Sequence, residues 1–218
     1  MGFFSSLKND MKSLVSGIFS DKPAPFASKK GERGEAKKAT RSLLVKEVIV
    51  ETPDARTIVL TDPSGAPLEF EAGQFFTLLR KIDGKEVRRA YSASSSASVS
   101  SEVRVTVKQI EGGLVSPRLV KELSAGETLE VAGPSGQFTM PKGRKHAVLL
   151  GGGSGITPLM SIARTHLALD PELKLDLVFG NRGKEDIIFR EELSALVEEH
   201  AGRFRVRHVL ENADPIAS

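Results

Sequence analysis

The chain describes a small antiparallel β-barrel followed by part of a parallel α/β sheet. Three observations predict this. Residues 41–141 break into short β-branched runs separated by Gly, Pro, Asp and Ser, the pattern of antiparallel strands joined by turns. After Lys145 the rhythm becomes strand, helix, strand, helix, strand, which signals a parallel sheet with ligands at the carboxyl ends of its strands. Between the first of those strands and its helix lies a turn with four glycines in five residues, Gly151-Gly152-Gly153-Ser154-Gly155. A length of 218 residues exceeds the usual ~100–150 of one domain, so two cores are expected.

Taken in order, the first element is an amphipathic helix over residues 1–20. Phe3, Leu7, Met11, Leu14, Val15 and Ile18 recur at helical spacing, with Ser6, Lys8, Asp10, Lys12 and Ser13 opposite them. Such a helix docks on the protein body, on a partner or on a membrane surface, and the mixed charges of its polar face weigh against the membrane. Gly2 with Ser6 fits the short N-myristoylation pattern, which needs a eukaryotic acyltransferase. A secretory signal is not expected, because polar residues interrupt the apolar ones throughout. Residues 21–40 are rich in Pro, Gly, Lys and Glu, with no large apolar residue after Phe26, and read as a flexible basic linker.

Residues 41–141 form the barrel, with strands expected at 43–50, 56–61, 74–79, 86–92, 103–110 and 128–131. One helix interrupts them, since Leu114, Arg118, Leu119 and Leu123 have helical spacing after Gly112 and Gly113. Residues 142–218 form the α/β part, with strands at 146–150, 173–179 and 204–210 and helices at 158–169 and 189–200. There is no internal repeat.

Composition narrows the chemistry. A hydrophobic fraction of 39% and a charged fraction of 27% are those of an ordinary globular protein. The longest apolar runs, such as 147–150, fall far short of the ~18 residues of a transmembrane helix, so no transmembrane segment is expected. With no cysteine, disulfides, thiolate zinc sites, cysteine-ligated iron–sulfur clusters and cysteine nucleophiles are excluded. Redox work on this chain therefore needs a bound cofactor, no metal site is expected, and a cytoplasmic location fits. The pI near 9.1 has a local cause. Residues 29–41 hold six Lys or Arg against two Glu, a net of +4, which leaves −1 for the rest of a chain whose total is +3. Nucleic acid is not the expected partner, because no basic stripe with interleaved aromatics follows downstream.

Four segments carry candidate chemistry. In Arg88-Arg89-Ala90-Tyr91-Ser92 the only tyrosine follows two arginines on a barrel strand. Strand alternation puts Arg89 and Tyr91 on one face and Ser92 on the other. A flat ring can stack on a heteroaromatic ligand and a guanidinium can pair with a phosphate, although a half-buried strand with a solvated arginine fits equally well. In Glu111-Gly112-Gly113-Leu114-Val115-Ser116, glycines precede a helix whose first amides suit a pyrophosphate, or simply make a turn. The 151–158 loop departs from the Rossmann fingerprint, with Ile156 where its third glycine should stand, yet it sits where a backbone cradle for a dinucleotide phosphate belongs. The second α/β strand ends in Phe179-Gly180-Asn181-Arg182, where a Rossmann domain places an acid for a ribose diol. An arginine there suits the 2′-phosphate of NADPH instead.

In this order the segments resemble the ferredoxin–NADP reductase superfamily, and especially the bacterial oxygenase reductases that feed electrons to a ferredoxin module. The likeness spans roughly residues 41–210. The flavin motif R-x-Y-S matches Arg89, Tyr91 and Ser92, and the phosphate-side motif G-x-x-S matches Gly113 and Ser116 around Leu114 and Val115. The strand end G-P-x-G-x-F matches Gly133, Pro134, Gly136 and Phe138, and the nicotinamide loop G-G-G-x-G-I-T-P matches residues 151–158.

The resemblance implies a flavin-binding barrel followed by a partial nicotinamide-binding domain. It implies that Arg89 holds the flavin phosphate, Tyr91 stacks on the ring, Ser92 bonds near the flavin N5, and Ala90 lies between them. Val107 and Lys108 contact the flavin from the next strand, and Gly113, Leu114, Val115 and Ser116 bind its pyrophosphate. Gly152, Gly153, Ser154 and Gly155 carry the dinucleotide, and Thr157 sits where nicotinamide and flavin meet, so Tyr91, Ser92 and Thr157 stand at the reacting rings. The implied activity is hydride transfer from NAD(P)H to FAD, with FMN as the alternative flavin, then single electrons to an iron–sulfur, ferredoxin-type or haem acceptor. Arg182 tilts the donor towards NADPH over NADH.

Family members continue through strands bearing a C-G-P motif, and many carry a 2Fe–2S domain. This sequence stops at Ser218 with no cysteine, so it is expected to be a fragment of a longer reductase with impaired turnover. The alternative is a non-catalytic flavin-binding electron-transfer or regulatory module that depends on a partner.

Overall fold

Two β-sheets carry residues 40–211, which are the residues the computed structural model describes. The helix expected over 1–20, the linker up to residue 39 and residues 212–218 lie outside the described residues.

The first sheet is antiparallel and holds β1 (Thr40–Thr52), β2 (Ala55–Thr61), β3 (Phe75–Ile82), β4 (Lys85–Ser92), β5 (Val103–Lys108) and β6 (Thr128–Ser135). Its strand order is β4-β3-β6-β1-β2-β5. Alternation explains why these segments pair: Leu43 and Val45, Ile58 and Leu60, Phe76 and Leu78, Val103, Val105 and Val107, and Leu129 and Val131 all point into one core. The two edge strands β4 and β5 approach each other through a bridge between Ala93 and Val105, which closes the sheet into a barrel. Strand β1 begins at Thr40, inside the stretch expected as linker, because Thr40 pairs with Ala132 of β6. Strand β5 ends at Lys108 rather than at residue 110, because its partner β2 begins at Ala55, opposite Lys108, and beyond that pair the Gln109 amide makes a last bond to the Asp54 carbonyl at 2.7 Å.

Helix α1 (Ser116–Lys121) carries a proline in its first turn, where a missing N–H costs nothing. Val115, Leu119, Val120 and Leu123 pack into the barrel core. Burying this apolar stripe against strands is what holds a helix too short to persist alone.

The second sheet is parallel, with β7 (His146–Gly152), β8 (Lys174–Asn181) and β9 (Phe204–Leu210) side by side in chain order. A 3₁₀ turn at Gly153–Gly155 leads from β7 into α2 (Ile156–Leu169), and α3 (Arg190–Glu199) joins β8 to β9. Leu175, Leu177 and Phe179 of β8 meet Leu159, Met160, Ile162 and Ala163 of α2 in a second core, which Ala55 and Ala72 of the barrel part also enter. Polar contacts add to that join. Arg164 of α2 donates to the Ser94 carbonyl at 2.8 Å and pairs with Glu192 of α3. The Ala97 amide donates to Thr165 Oγ1 at 2.8 Å, and the Phe189 amide donates to Glu51 Oε2 at 3.3 Å.

Among the described residues no helix is long and apolar enough to cross a membrane. None of their His, Asp and Glu side chains form a group able to hold a metal ion.

Candidate functional site

Pairing across the barrel seam ends beside the residues expected to hold a ligand. Ala93 faces Val105 across the seam, and the Ser94 amide donates to the Arg104 carbonyl at 2.8 Å. Continuing that antiparallel register would set Tyr91 against Val107, but pairing stops at the bridge and β4 keeps only β3 as its neighbour. The two strands splay, and an edge strand that splays leaves backbone N–H and C=O groups unpaired. Tyr91 and Ser92 thus stand on one lip of this gap in the pairing, and Val107 and Lys108 on the other.

On the first lip the Tyr91 ring packs half-buried against the barrel core. Burial pushes its phenol above the ordinary tyrosine value, and the neighbouring Arg89 cation partly offsets this. Arg89 and Ala90 are exposed. The Arg89 guanidinium donates to the Arg88 carbonyl at 2.8 Å, and no carboxylate among the described residues pairs with it, so it is a cation available to an anion. On the second lip the Val107 side chain is fully buried in the core, so only its main chain reaches the gap. The Lys108 side chain leaves the seam altogether, with Nζ 3.4 Å from Asp54 Oδ2 and 3.8 Å from Asp186 Oδ1.

The segment after β5 brings the third motif to the same end of the barrel. Ser116 is buried and its Oγ accepts the Ile110 amide at 3.0 Å, which ties the start of α1 to the strand end. A Cβ at Gly113 would come within 2.9 Å of the Ile110 carbonyl, so glycine there is a packing requirement. Val115 is buried in the core and Leu114 is exposed, so of this pair only Leu114 offers a side chain to solvent.

The glycine turn lies across from β5, which approaches the Gly153–Gly155 segment. Its glycines differ in kind. A Cβ at Gly151 would meet the tip of the Leu159 side chain, Cδ1, at 2.6 Å, so that side chain would have to shift, and Gly153 has φ +49°, a backbone shape that favours glycine. A Cβ at Gly152 would find nothing nearer than 3.7 Å, and one at Gly155 nothing within 4 Å. Open space over glycines at the carboxyl end of a parallel strand leaves room for a ligand phosphate against bare backbone, and in this respect the residues present fit a bound dinucleotide. Thr157 is buried and its hydroxyl donates to the Ser154 carbonyl at 3.1 Å, while Ser154 itself is exposed.

At the end of β8 the structure adds residues that sequence reasoning missed. Arg182 pairs with Asp186 four positions on, and its Nη2 also lies 3.5 Å from Asp54 Oδ2. Burial pushes the Asp186 carboxyl up, but the bond and charge of Arg182, the Lys108 charge and the Gly183 amide together outweigh it and hold the group below the usual range. Just before it, the Asn181 side chain is 3% exposed, and neither its Nδ2 nor its Oδ1 has a hydrogen-bond partner among the described residues. The signal for Asp54 was absent from the local sequence, because it stands 128 positions from Arg182.

A model of the oxidoreductase FAD-binding domain matches residues 42–140, and a model of the oxidoreductase NAD-binding domain matches residues 149–216. The chain belongs to the ferredoxin–NADP reductase superfamily. The ferredoxin reductase component of 3-ketosteroid-9-alpha-monooxygenase from Rhodococcus rhodochrous is 41% identical over 78% of this chain and 49% of its own length. Ferredoxin–NADP reductase B of Sorangium cellulosum is 37% identical over 72% of this chain and 63% of its own. Among solved structures, phthalate dioxygenase reductase, titled a modular structure for electron transfer from pyridine nucleotides to 2Fe–2S, superposes with a TM-score of 0.71. It is 28% identical, over 83% of this chain and 54% of that one. The superfamily member described here thus spans about half the length of the Rhodococcus and phthalate reductases.

Proposed function

We propose that this superfamily member carries the flavin and nicotinamide sites of a reductase that draws electrons from NAD(P)H and passes them to an iron–sulfur or haem acceptor. The observation that carries the reading is the splayed seam, which sets Tyr91 and Ser92 across a gap from the β5 main chain and lies beside the open glycines of the α/β part. When bound, flavin and nicotinamide supply the hydride transfer between them and the release of single electrons. The chain's own residues bind and orient. Arg89 offers a guanidinium to a flavin phosphate, the Tyr91 ring a stacking surface, and Ser92 a hydroxyl near the reacting ring. Gly113 and Ser116 shape the loop for a pyrophosphate, and Gly152, Gly153, Ser154 and Gly155 give main-chain N–H groups to the dinucleotide. Thr157, whose hydroxyl is already held by Ser154, acts by position. FAD is favoured over FMN because the loop before α1 suits a pyrophosphate, which FMN lacks. Arg182 by itself favours NADPH, and the carboxylates paired with it oppose that preference.

Reconstitution tests this directly. The purified full chain should take up FAD, turn yellow, and lose its flavin absorbance when titrated anaerobically with NADH or NADPH. Failure to retain either FAD or FMN sinks the proposal. Bound flavin that neither nucleotide reduces, but a reduced partner protein does, points instead to a flavin-binding electron-transfer module.

A further inference from the structure

The carboxyl end of β8 presents an arginine whose surroundings are acidic. Asp186 reaches Arg182 from the turn that follows β8, and Asp54 reaches it at 3.5 Å from the β1–β2 turn of the barrel. Glu211, at the end of β9, adds a third carboxylate that acts on the same guanidinium, its amide bonding the Asn181 carbonyl at 3.1 Å. A second cation joins Arg182 here: among the described residues Lys108 also pairs with Asp54 and Asp186, at 3.4 and 3.8 Å. Three carboxylates thus face two cations, contributed by the barrel and by the parallel sheet together.

Stability does not explain this cluster. The Arg182 side chain is 54% exposed, and exposed ion pairs contribute little to folding because solvent and salt screen them. Neither is it a surface accident, since the carboxylates are held in place. Thr52 Oγ1 donates to Asp54 Oδ1 at 2.8 Å, and the Gly183 amide donates to Asp186 Oδ2 at 3.2 Å. Next to the cluster lies the buried, unpartnered carboxamide of Asn181. The parallel register pairs Gly152 with Gly180, which brings Asn181 level with the start of the glycine turn. An orphaned buried amide costs free energy unless something pairs with it, which marks this strand end, beside the turn, as a place where packing alone does not account for the residue present.

The two candidate donors differ only in one group at this end of the molecule. A ribose diol donates O–H bonds and is welcomed by carboxylates. A 2′-phosphate carries close to two negative charges and would have to displace or lie against Asp54, Asp186 and Glu211 to reach Arg182. Resting on the proposed nicotinamide site, we propose that Asp54 and Asp186 make this protein select NADH over NADPH, with Arg182 held by the two acids instead of serving a 2′-phosphate. The arginine taken alone leads to the opposite expectation, and the difference comes entirely from residues outside its own strand.

The test uses the FAD-reconstituted full chain and two probes that need no turnover, 5′-AMP and 2′,5′-ADP, with affinities measured by calorimetry. Anaerobic flavin reduction by NADH and by NADPH is followed alongside. The wild type should bind 5′-AMP at least as tightly as 2′,5′-ADP and be reduced faster by NADH. Asp186→Asn and Asp54→Asn should each move the affinity ratio towards the 2′-phosphorylated probe, and the double variant should move it by about tenfold or more, as expected when like charges no longer oppose a dianion. A wild type that prefers 2′,5′-ADP overturns the inference, and so does a ratio that stays fixed in variants retaining their flavin spectrum. If a variant loses its flavin, the wild-type ratio alone decides. Should neither probe bind and neither nucleotide reduce the flavin, the proposed nicotinamide site itself fails; a site that works but favours NADPH removes only the selectivity.

Discussion

The barrel seam and the glycine turn are both proposed to hold phosphates, yet they are built from opposite materials. On the seam, side chains stand ready: an exposed, acid-free Arg89 and a half-buried Tyr91 ring on β4. On the turn there is almost nothing but backbone, with open space where a Cβ would be at Gly155. The difference teaches how to read a glycine. Gly113 is filled against the Ile110 carbonyl and serves the fold, whereas Gly155 faces open space and is free for the proposed ligand. Substitutions can separate the two kinds.

The largest effect is expected at a glycine of the first kind. A Cβ at Gly73 would lie 1.9 Å from the Phe138 carbonyl, at a φ of +97°, so both the contact and the backbone conformation forbid a side chain. Gly73→Ala should cost about 3 kcal/mol or more, or prevent folding, read from a denaturant melt. A variant that melts like the wild type would break the distinction at its firmest point.

Next come the two ligand faces themselves. Arg89→Ala removes an exposed cation whose one hydrogen bond among the described residues goes to the Arg88 carbonyl, so the melt should move by less than about 0.5 kcal/mol. Flavin affinity should fall by about tenfold to a hundredfold, the worth of one charge-assisted bond to a phosphate. Gly155→Ala should likewise leave the melt alone, but spare flavin affinity and slow reduction by the nicotinamide donor. Equal losses of flavin in both variants would show that seam and turn are not separate sites.

Much of the barrel was legible because Leu43, Val45, Ile58, Leu60, Val103 and Val105 alternate as strand residues facing a core must. The strand and helix rhythm after Lys145 was legible for the same reason: apolar period follows local geometry. What local pattern could not carry was closure and cross-chain pairing. That β4 and β5 are sheet edges meeting at Ala93 and Val105 depends on strand order. That Val107 turns inward follows from that order, and it limits the residue to a main-chain role. On sequence Arg182 suits a 2′-phosphate, because the acids that pair with it arrive from Asp54 on the barrel and from Asp186 beyond the strand end. Motifs named the residues proposed to face a ligand, but the charge around Arg182 is set by partners no motif contains.

The smallest predicted effect concerns the joint that keeps seam and turn in one frame. Glu51 sits between the two parts, accepting the Thr57 hydroxyl and the Phe189 amide. Thr57 is bonded in turn to Thr106 Oγ1 at 2.7 Å. Burial raises the Glu51 carboxyl above its ordinary value, the Glu192 carboxylate adds to this, and the bonds from Thr57 and Phe189 with the Arg164 cation only partly oppose it. A raised carboxyl binds its proton more tightly in the folded protein than in the unfolded chain. Its contribution to stability is therefore complete below the ordinary glutamate range and is lost as pH rises through the higher folded value. Glu51→Gln stays neutral throughout. It gives up the Phe189 bond, so it should melt lower than the wild type in acid, and the gap should narrow as pH rises from about 5 to about 8. A gap that is constant with pH would mean that Glu51 is charged in the joint at no cost. A gap that widens would mean that its charge, through Arg164, is what holds the two parts together.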